Sequence, residues 1–353
     1  VKLSSTNADN PLSLWPESLP HGLAAWLHEL RMMRGFSVET WVSTKARKIA
    51  EYLDHSGITD IIVGVSGGID SAVTVALLKK AGQHMKQKPA TVRGVLLPID
   101  SPGAATRQRE ATLLGRLVLE SLDLSALEIP LGDIHLELAQ KIEASSGLNG
   151  TPWARGQLVS TLRTPVLYYL TSLITEAGGR ALVCGTTNRD EGSYIGFFGK
   201  ASDGMNDLQP LSDLHKSEVR QVARHLGIPQ PVLEAAPTGD TFDGRTDEKM
   251  MEVNYDFLEL WLLARCAEAN SPLAALNRTP TLSDTDRTLY LRGQAAIERM
   301  HAHNHHKYLG SSPAIHWDVM ERAVPGGWRA NPSGHAIQEP RSSPTHAPSA
   351  RTL

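Results

Sequence analysis

Cysteine is scarce in this chain. Only Cys184 and Cys266 occur among 353 residues, far apart and in neither a CxxC nor a Cys/His metal spacing. A disulfide framework is excluded, and both read as small buried apolar side chains. An excess of one charge is missing too: 35 basic against 38 acidic residues leave a formal charge of -3, with no basic stripe to track a nucleic-acid backbone. No nucleic-acid partner is expected. No apolar run approaches the roughly 20 residues that span a bilayer, and the first residues lack the charged-then-apolar profile of a secretory signal. No membrane partner is expected either, and the expected location is the cytoplasm. Internal repeats are absent.

What is present alternates in the βα manner. "DIIVGVS" (60–66), "TVRGVLLPI" (91–99), a short stretch near 126–129 and "RALVCGT" (180–186) read as strands. Between them the spacing predicts helices over 71–82, 103–122, 133–145 and 154–177, the last broken or kinked at Pro165. Strands separated in this way imply an α/β fold, a doubly wound parallel sheet covered on both faces. Leu23, Trp26, Leu27 and Leu30, then Val38, Trp41, Val42, Ile49 and Leu53, predict amphipathic helices before the first strand. Helices over 215–229, 247–269 and 284–306 are expected after the last, giving helical additions at both ends of one domain over 21–320. Residues 1–20 and the Pro/Ser-rich 331–353 read as tails without a core. The histidines 301, 303, 305 and 306 fall around a helix axis and read as a solvated helix end rather than a metal site.

The stretch "VGVSGGIDSAV" (63–73) carries chemistry. A strand end, a Ser-Gly-Gly turn and a helix start gather backbone N–H groups and a positive dipole end around one point, which is an anion site. A tight turn needing only a glycine with positive φ would look the same. The loop has neither the lysine of GxxxxGK[ST] nor the GxGxxG of dinucleotide folds. It places Asp70 and Ser71 at the helix mouth, and an acid beside phosphate is sensible only with a divalent cation between them.

"SGGIDS" resembles the pyrophosphate loop of the ATP-pyrophosphatase superfamily, with its adenine nucleotide alpha-hydrolase-like fold. The resemblance implies that Ser66, Gly67, Gly68 and Ser71 hold the β- and γ-phosphates of ATP and that Asp70 helps bind Mg²⁺. A second block, "GTTNRDEGSYIGFFGKASDGMNDLQPLSDLHKSEV" (185–219) followed by "AAPTGDTFDGRTDE" (235–248), lies after the last strand, where such sheets bind ligands. Phe197 and Phe198 in its middle predict a packed loop. Together the blocks resemble ammonia-dependent NAD synthetases over roughly residues 40 to 320.

That likeness implies an AMP-forming amide ligase that adenylates the carboxylate of deamido-NAD and lets ammonia displace AMP. It implies Thr186 for ATP, Glu191 for the metal, Asp203 facing ammonia and the dinucleotide with Lys200 nearby, and Lys216 and Thr238 on phosphate. Arg163 is a basic position on the 154–177 helix, Asp240 a substrate position, and His306 with Lys307 a segment closing over the nucleotides. Lys216 and Asp203 are the expected catalytic groups, and a homodimer is implied, with 22–56 and 152–178 as candidate interface helices. The chain departs from the family pattern at Leu97, Thr161, Gly199, Ser202 and Tyr308. Two alternatives therefore stay open: the same chemistry on another carboxylate in a specialised pathway, and a nucleotide-binding regulator without turnover. The roughly 60 residues before the glycine loop contain no cysteine for a glutaminase. Free ammonia, or a separate partner, is the expected nitrogen source.

Overall fold

The computed structural model describes residues 18–99, 105–236, 239, 245–268 and 282–308. Four strands, β1 (Asp60–Gly64), β2 (Thr91–Leu96), β3 (Ala126–Glu128) and β4 (Ala181–Cys184), form one parallel sheet in the order β3-β2-β1-β4. The chain winds outward from β1 through β2 to β3, then returns to the other side of β1. The winding direction therefore reverses between β1 and β4, and at such a point the loops leaving two neighbouring strands part and open a crevice.

The side-chain period of two along β1 feeds two cores. Ile61, Val63 and Val65 pack with α2 (Val38–Ser56), α3 (Ile69–Gly82), α4 (Ala105–Ser121) and α8 (Lys216–His225). Ile62 faces the opposite way, with Val95 and Leu97, against α6 (Pro152–Glu176) and Leu131, which leads into α5 (Gly132–Ser146). Helix α3 is buried from Ser71 to Leu78 without a polar face, as its sequence "SAVTVALL" requires of a central helix. A third core joins the two helical additions into one body. Leu23, Leu27 and Leu30 of α1 (His21–Arg34) pack against Phe257 and Trp261 of α11 (Tyr255–Glu268) and Ile297 of α12 (Asp284–Asn304). Leu19 already belongs to that core.

Two expected helix boundaries differ, the break at Pro165 and the single helix over 247–269. Helix α6 runs unbroken through Pro165. Leu162, Val166, Leu167 and Leu170 hold the turns on either side of it to the sheet, which offsets the lost hydrogen bond. The single helix expected over 247–269 is two, α10 (Asp247–Met251) and α11. Glu252 takes φ +59 and stops the first, and Asn254 caps the second by accepting from the Phe257 N–H at 2.8 Å. Short helices α7 (Arg189–Gly192) and α9 (Gln230–Glu234) complete the order.

Candidate active site

The glycine turn leaves β1 at the crevice. Gly67 has φ +84, and a Cβ there would lie 2.1 Å from the Ala111 carbonyl oxygen of α4. The fold itself therefore requires this glycine. Gly68 differs: its φ is -81, and a Cβ would meet nothing nearer than Ser66 Oγ at 3.5 Å. No contact among the described residues explains it. Ser71 Oγ donates to the Gly68 carbonyl at 2.9 Å and lies 3.3 Å from Ser66 Oγ, which holds the turn closed over the start of α3.

Beside it, the loop after β4 turns into α7. Asn188 caps that helix by accepting from the Glu191 N–H, and its amide donates to Asp70 Oδ1 at 2.9 Å. One buried side chain thus ties the two loops together. Lys216, the first residue of α8, reaches the same point: its ammonium donates to Asp70 Oδ2 at 2.6 Å and Glu191 Oε1 at 3.0 Å. Tyr255 closes the cluster, donating to Glu191 Oε1 at 2.7 Å and lying 3.3 Å from Asp247 Oδ2. Two carboxyl groups share one ammonium, and Asp247 adjoins them through Tyr255. Burial pushes Glu191 up to about 7, against the pull of Lys216. Burial would depress Lys216, but Asp70 and Glu191 outweigh it and hold the ammonium well above its ordinary value.

The start of α8 is fixed by buried hydrogen bonds and ion pairs. Asp190 accepts from the Lys216 N–H at 2.7 Å, and its other oxygen lies 2.6 Å from His215 Nδ1. Burial raises Asp190 to about 7 and lowers His215 to about 3. Arg34 grips both oxygens of Glu218 and the Asp213 carbonyl. Lys45 and Trp41 both donate to the Asp213 carboxylate. A lysine held by this frame spends little conformational entropy in meeting its partners.

The cluster fits a divalent cation. Asp70 and Glu191 present hard oxygens to one point, and buried Asp247 Oδ1 has no hydrogen-bond partner among the described residues. No group of three or more His, Cys, Asp or Glu among the described residues is placed to hold a metal unaided. An ion of the magnesium type takes one or two carboxylates and completes its shell with water and phosphate oxygens.

Ser66, Gly67, Gly68, Asp70, Ser71, Glu191 and Lys216 thus come together, with Thr186 just past β4. Lys307 joins a second group: its ammonium donates to the Gly196 carbonyl at 2.8 Å and to that of Phe198, 5.3 Å from the Phe198 ring centroid. Burial lowers it, opposed by the charge of Asp203. The loop is packed as its phenylalanines imply, Phe197 lying against the third core. The Asp203 carbonyl accepts from Asn206 and Gln209. Arg163 donates to the Leu97 carbonyl at the end of β2 and to Gln108. Lys200 is exposed, and His306 is exposed with its ring against the His303 carbonyl. Thr238 and Asp240 lie outside the described residues, as does 331–353. Asn188, Asp190, His215, Asp247 and Tyr255 were not singled out in the sequence. The cap position of Asn188 before "RDE" and the Thr246-Asp247-Glu248 helix start were the signals available.

The glycine turn and the acid-lysine cluster meet at the switch point of a parallel sheet flanked by helices, the place where α/β folds of this kind take their ligands. The family model for NAD synthase matches residues 41–308, and the chain belongs to that family. It is 34% identical over 220 residues to the NH(3)-dependent NAD(+) synthetase of Alkaliphilus oremlandii, covering 61% of this chain and 81% of that one. The fold is similar to that of NMN synthetase from Francisella tularensis, with TM-score 0.60 and 24% identity over 77% of this chain and 96% of that one. It is also similar to NAD+ synthetase from Burkholderia pseudomallei, with TM-score 0.56 and 20% identity over 81% and 99%.

Proposed function

We propose that this protein joins ammonia to the carboxylate of deamido-NAD at the expense of ATP, giving NAD, AMP and pyrophosphate. It is a ligase forming a C–N bond. One observation carries the reading: the Lys216 ammonium joins Asp70 of the glycine turn to Glu191 of the β4 loop at the switch point. Names among its relatives favour deamido-NAD over another carboxylate.

The chemistry follows from the groups assembled. A carboxylate is a poor acyl donor, so its oxygen attacks the α-phosphorus and pyrophosphate leaves. Charge on the departing phosphates is met by the turn amides, the α3 dipole and Lys216. Gly68 leaves room for a phosphate where the fold alone would accept alanine. Asp70 and Glu191 would hold Mg²⁺, which offsets phosphate charge when bound. Ammonia then attacks the acyl carbon, AMP leaves, and Asp203 takes the ammonium proton. Lys307 and His306 are proposed to meet the nucleotides, Arg163 and Thr186 ATP, Thr238 phosphate, and Lys200 and Asp240 the substrate.

A homodimer is proposed as the working form. Helices α1 and α2 use their apolar faces within the chain, whereas α6 leaves Trp153 58% and Tyr169 65% exposed, and α5 leaves Ile134 and Ile142 exposed. This favours α6 with α5 over 22–56 as the interface. The cytoplasm is the proposed location. No helix among the described residues is long and apolar enough to cross a membrane.

The test is pyrophosphate release from ATP and Mg²⁺ with ammonium, with and without deamido-NAD, following NAD in the same reaction. Release coupled to NAD establishes the reading. Release unaffected by deamido-NAD refutes the substrate.

A further inference from the structure

The chain leaves the single turn of α7 through Tyr194, Ile195 and Gly196. Carbonyls just past a helix end have no intrahelical partner and must find one elsewhere when they are not in water. Here they find three side chains from the C-terminal end of α12 and the turn that follows it. His301 Nδ1 lies 2.7 Å from the Tyr194 carbonyl, Asn304 Nδ2 donates to that of Ile195 at 2.8 Å, and Lys307 Nζ to that of Gly196 at 2.8 Å. Lys307 also reaches the Phe198 carbonyl. The order of donors matches the order of acceptors.

The spacing is what makes the match possible. Glu298, His301, Asn304 and Lys307 recur every third residue, and Glu298 accepts from the Tyr194 hydroxyl at 2.9 Å. On an α-helix such a row drifts around the axis, whereas in a 3₁₀ turn residues three apart eclipse one another. The helix gives way to a 3₁₀ turn at His305–Tyr308, which keeps Lys307 in line with Asn304. The His301 ring also stacks on Tyr194, with centroids 3.9 Å apart and planes at 11°. Gly196, at φ +62, turns the loop away immediately afterwards toward Phe198, Lys200 and Asp203.

We infer that the end of α12 is a clamp that sets the conformation of the loop carrying Asp203, with Asn304 and His301 as positioning residues. The inference rests on the proposed role of Asp203 in facing ammonia. Neither positioning residue touches substrate. Each fixes a carbonyl two to three residues before the Phe197 and Phe198 pair, and the path from there to Asp203 is short and held at its far end by Asn206 and Gln209. Loosening one end moves Asp203 relative to the acyl carbon while the phosphate site, held by α3 and α8, stays in place.

The test compares the full chain with Asn304→Asp, which keeps size but cannot donate, with Asn304→Gln, which keeps the donor, and with His301→Leu. Amide hydrogen exchange over 195–204 is measured together with KM for ammonium and for ATP. In Asn304→Asp and His301→Leu the loop amides should exchange about tenfold faster and KM for ammonium should rise about tenfold. KM for ATP should stay within about twofold, because phosphate contacts are untouched. Asn304→Gln should recover most of both effects. Wild-type exchange and wild-type ammonium KM in Asn304→Asp overturn the clamp. So does an equal rise in KM for ATP, which marks a general structural loss. Exchange is read without turnover, so a chain that fails to make NAD refutes the proposed function while leaving the exchange result to decide the clamp.

Discussion

The Lys216 ammonium lies 2.6 Å from Asp70 Oδ2, bringing together residues 146 apart in the chain. The lysine side chain is 3% exposed and that of Asp70 17%, and Glu191 shares the same ammonium. Removing one partner of a buried ion pair leaves charge without compensation, at a cost of about 3–5 kcal/mol. Lys216→Met should therefore lower the unfolding free energy measured by denaturant titration by that amount as well as abolish pyrophosphate release. Asp70→Asn should abolish release and cost less stability than Lys216→Met, because Glu191 still neutralises Lys216 and the amide oxygen accepts from it, while the amide NH2 is left facing the Asn188 amide. Unchanged release in Asp70→Asn would refute the metal role.

The two glycines of the turn should behave differently. Gly67→Ala places a methyl in a left-handed backbone and against the Ala111 carbonyl. Strain of about 1–3 kcal/mol plus displacement of α4 should show as a loss of stability. Gly68→Ala sits at an ordinary φ, at the cap of α3, where the cost is a few tenths to about 1 kcal/mol. It should fold normally and fail to bind pyrophosphate. Calorimetry of both variants with titrated pyrophosphate separates the roles, and normal binding by Gly68→Ala would show that phosphate does not approach there.

Much of this site was legible because its two loops are local. An apolar run into "SGG" sets the strand, the turn and the helix start, and Phe197 with Phe198 marks a packed loop. The pairings were not legible. That Lys216 spans Asp70 and Glu191 depends on where α8 docks, and that docking is set by Arg34 with Glu218 and by Lys45 with Asp213, pairs far apart in sequence. The break between α10 and α11 was hidden for another reason. It needs a glutamate with positive φ at Glu252, which side-chain pattern does not encode. Tyr255 opens α11 and points its hydroxyl at Glu191, a placement that a single helix over 247–269 conceals.

Asp190 and His215 make a proton-counting prediction. In the unfolded chain between about pH 4 and 6.5, His215 is protonated and Asp190 is not. In the folded chain His215 is depressed to about 3 and Asp190 raised to about 7, so the pair again holds one proton. The two contributions to the pH dependence cancel in that window. In Asp190→Asn only the depressed histidine remains. Its contribution is present above about 6.5 and lost as pH falls toward about 3. The stability of Asp190→Asn relative to wild type should thus fall on acidification from 6.5 to 4, by on the order of 1 kcal/mol per pH unit. Urea titrations across this range check it, and a pH-independent difference would refute the shared proton.

Tyr255→Phe tests the hydroxyl that sequence reading missed. Its donation to Glu191 favours the ionised carboxylate, and burial already holds that carboxylate up to about 7. Without the donor, Glu191 should titrate higher still. Pyrophosphate release at pH 7 should fall several-fold in Tyr255→Phe, the loss of one hydrogen bond to a charged group being about 1.5–3 kcal/mol. Because the ionised form is recovered as pH rises, the deficit should shrink between pH 7 and 9. A deficit constant over that range would mean that the ring, stacked 4.9 Å from the Lys216 ammonium, matters for packing and not for the charge on Glu191.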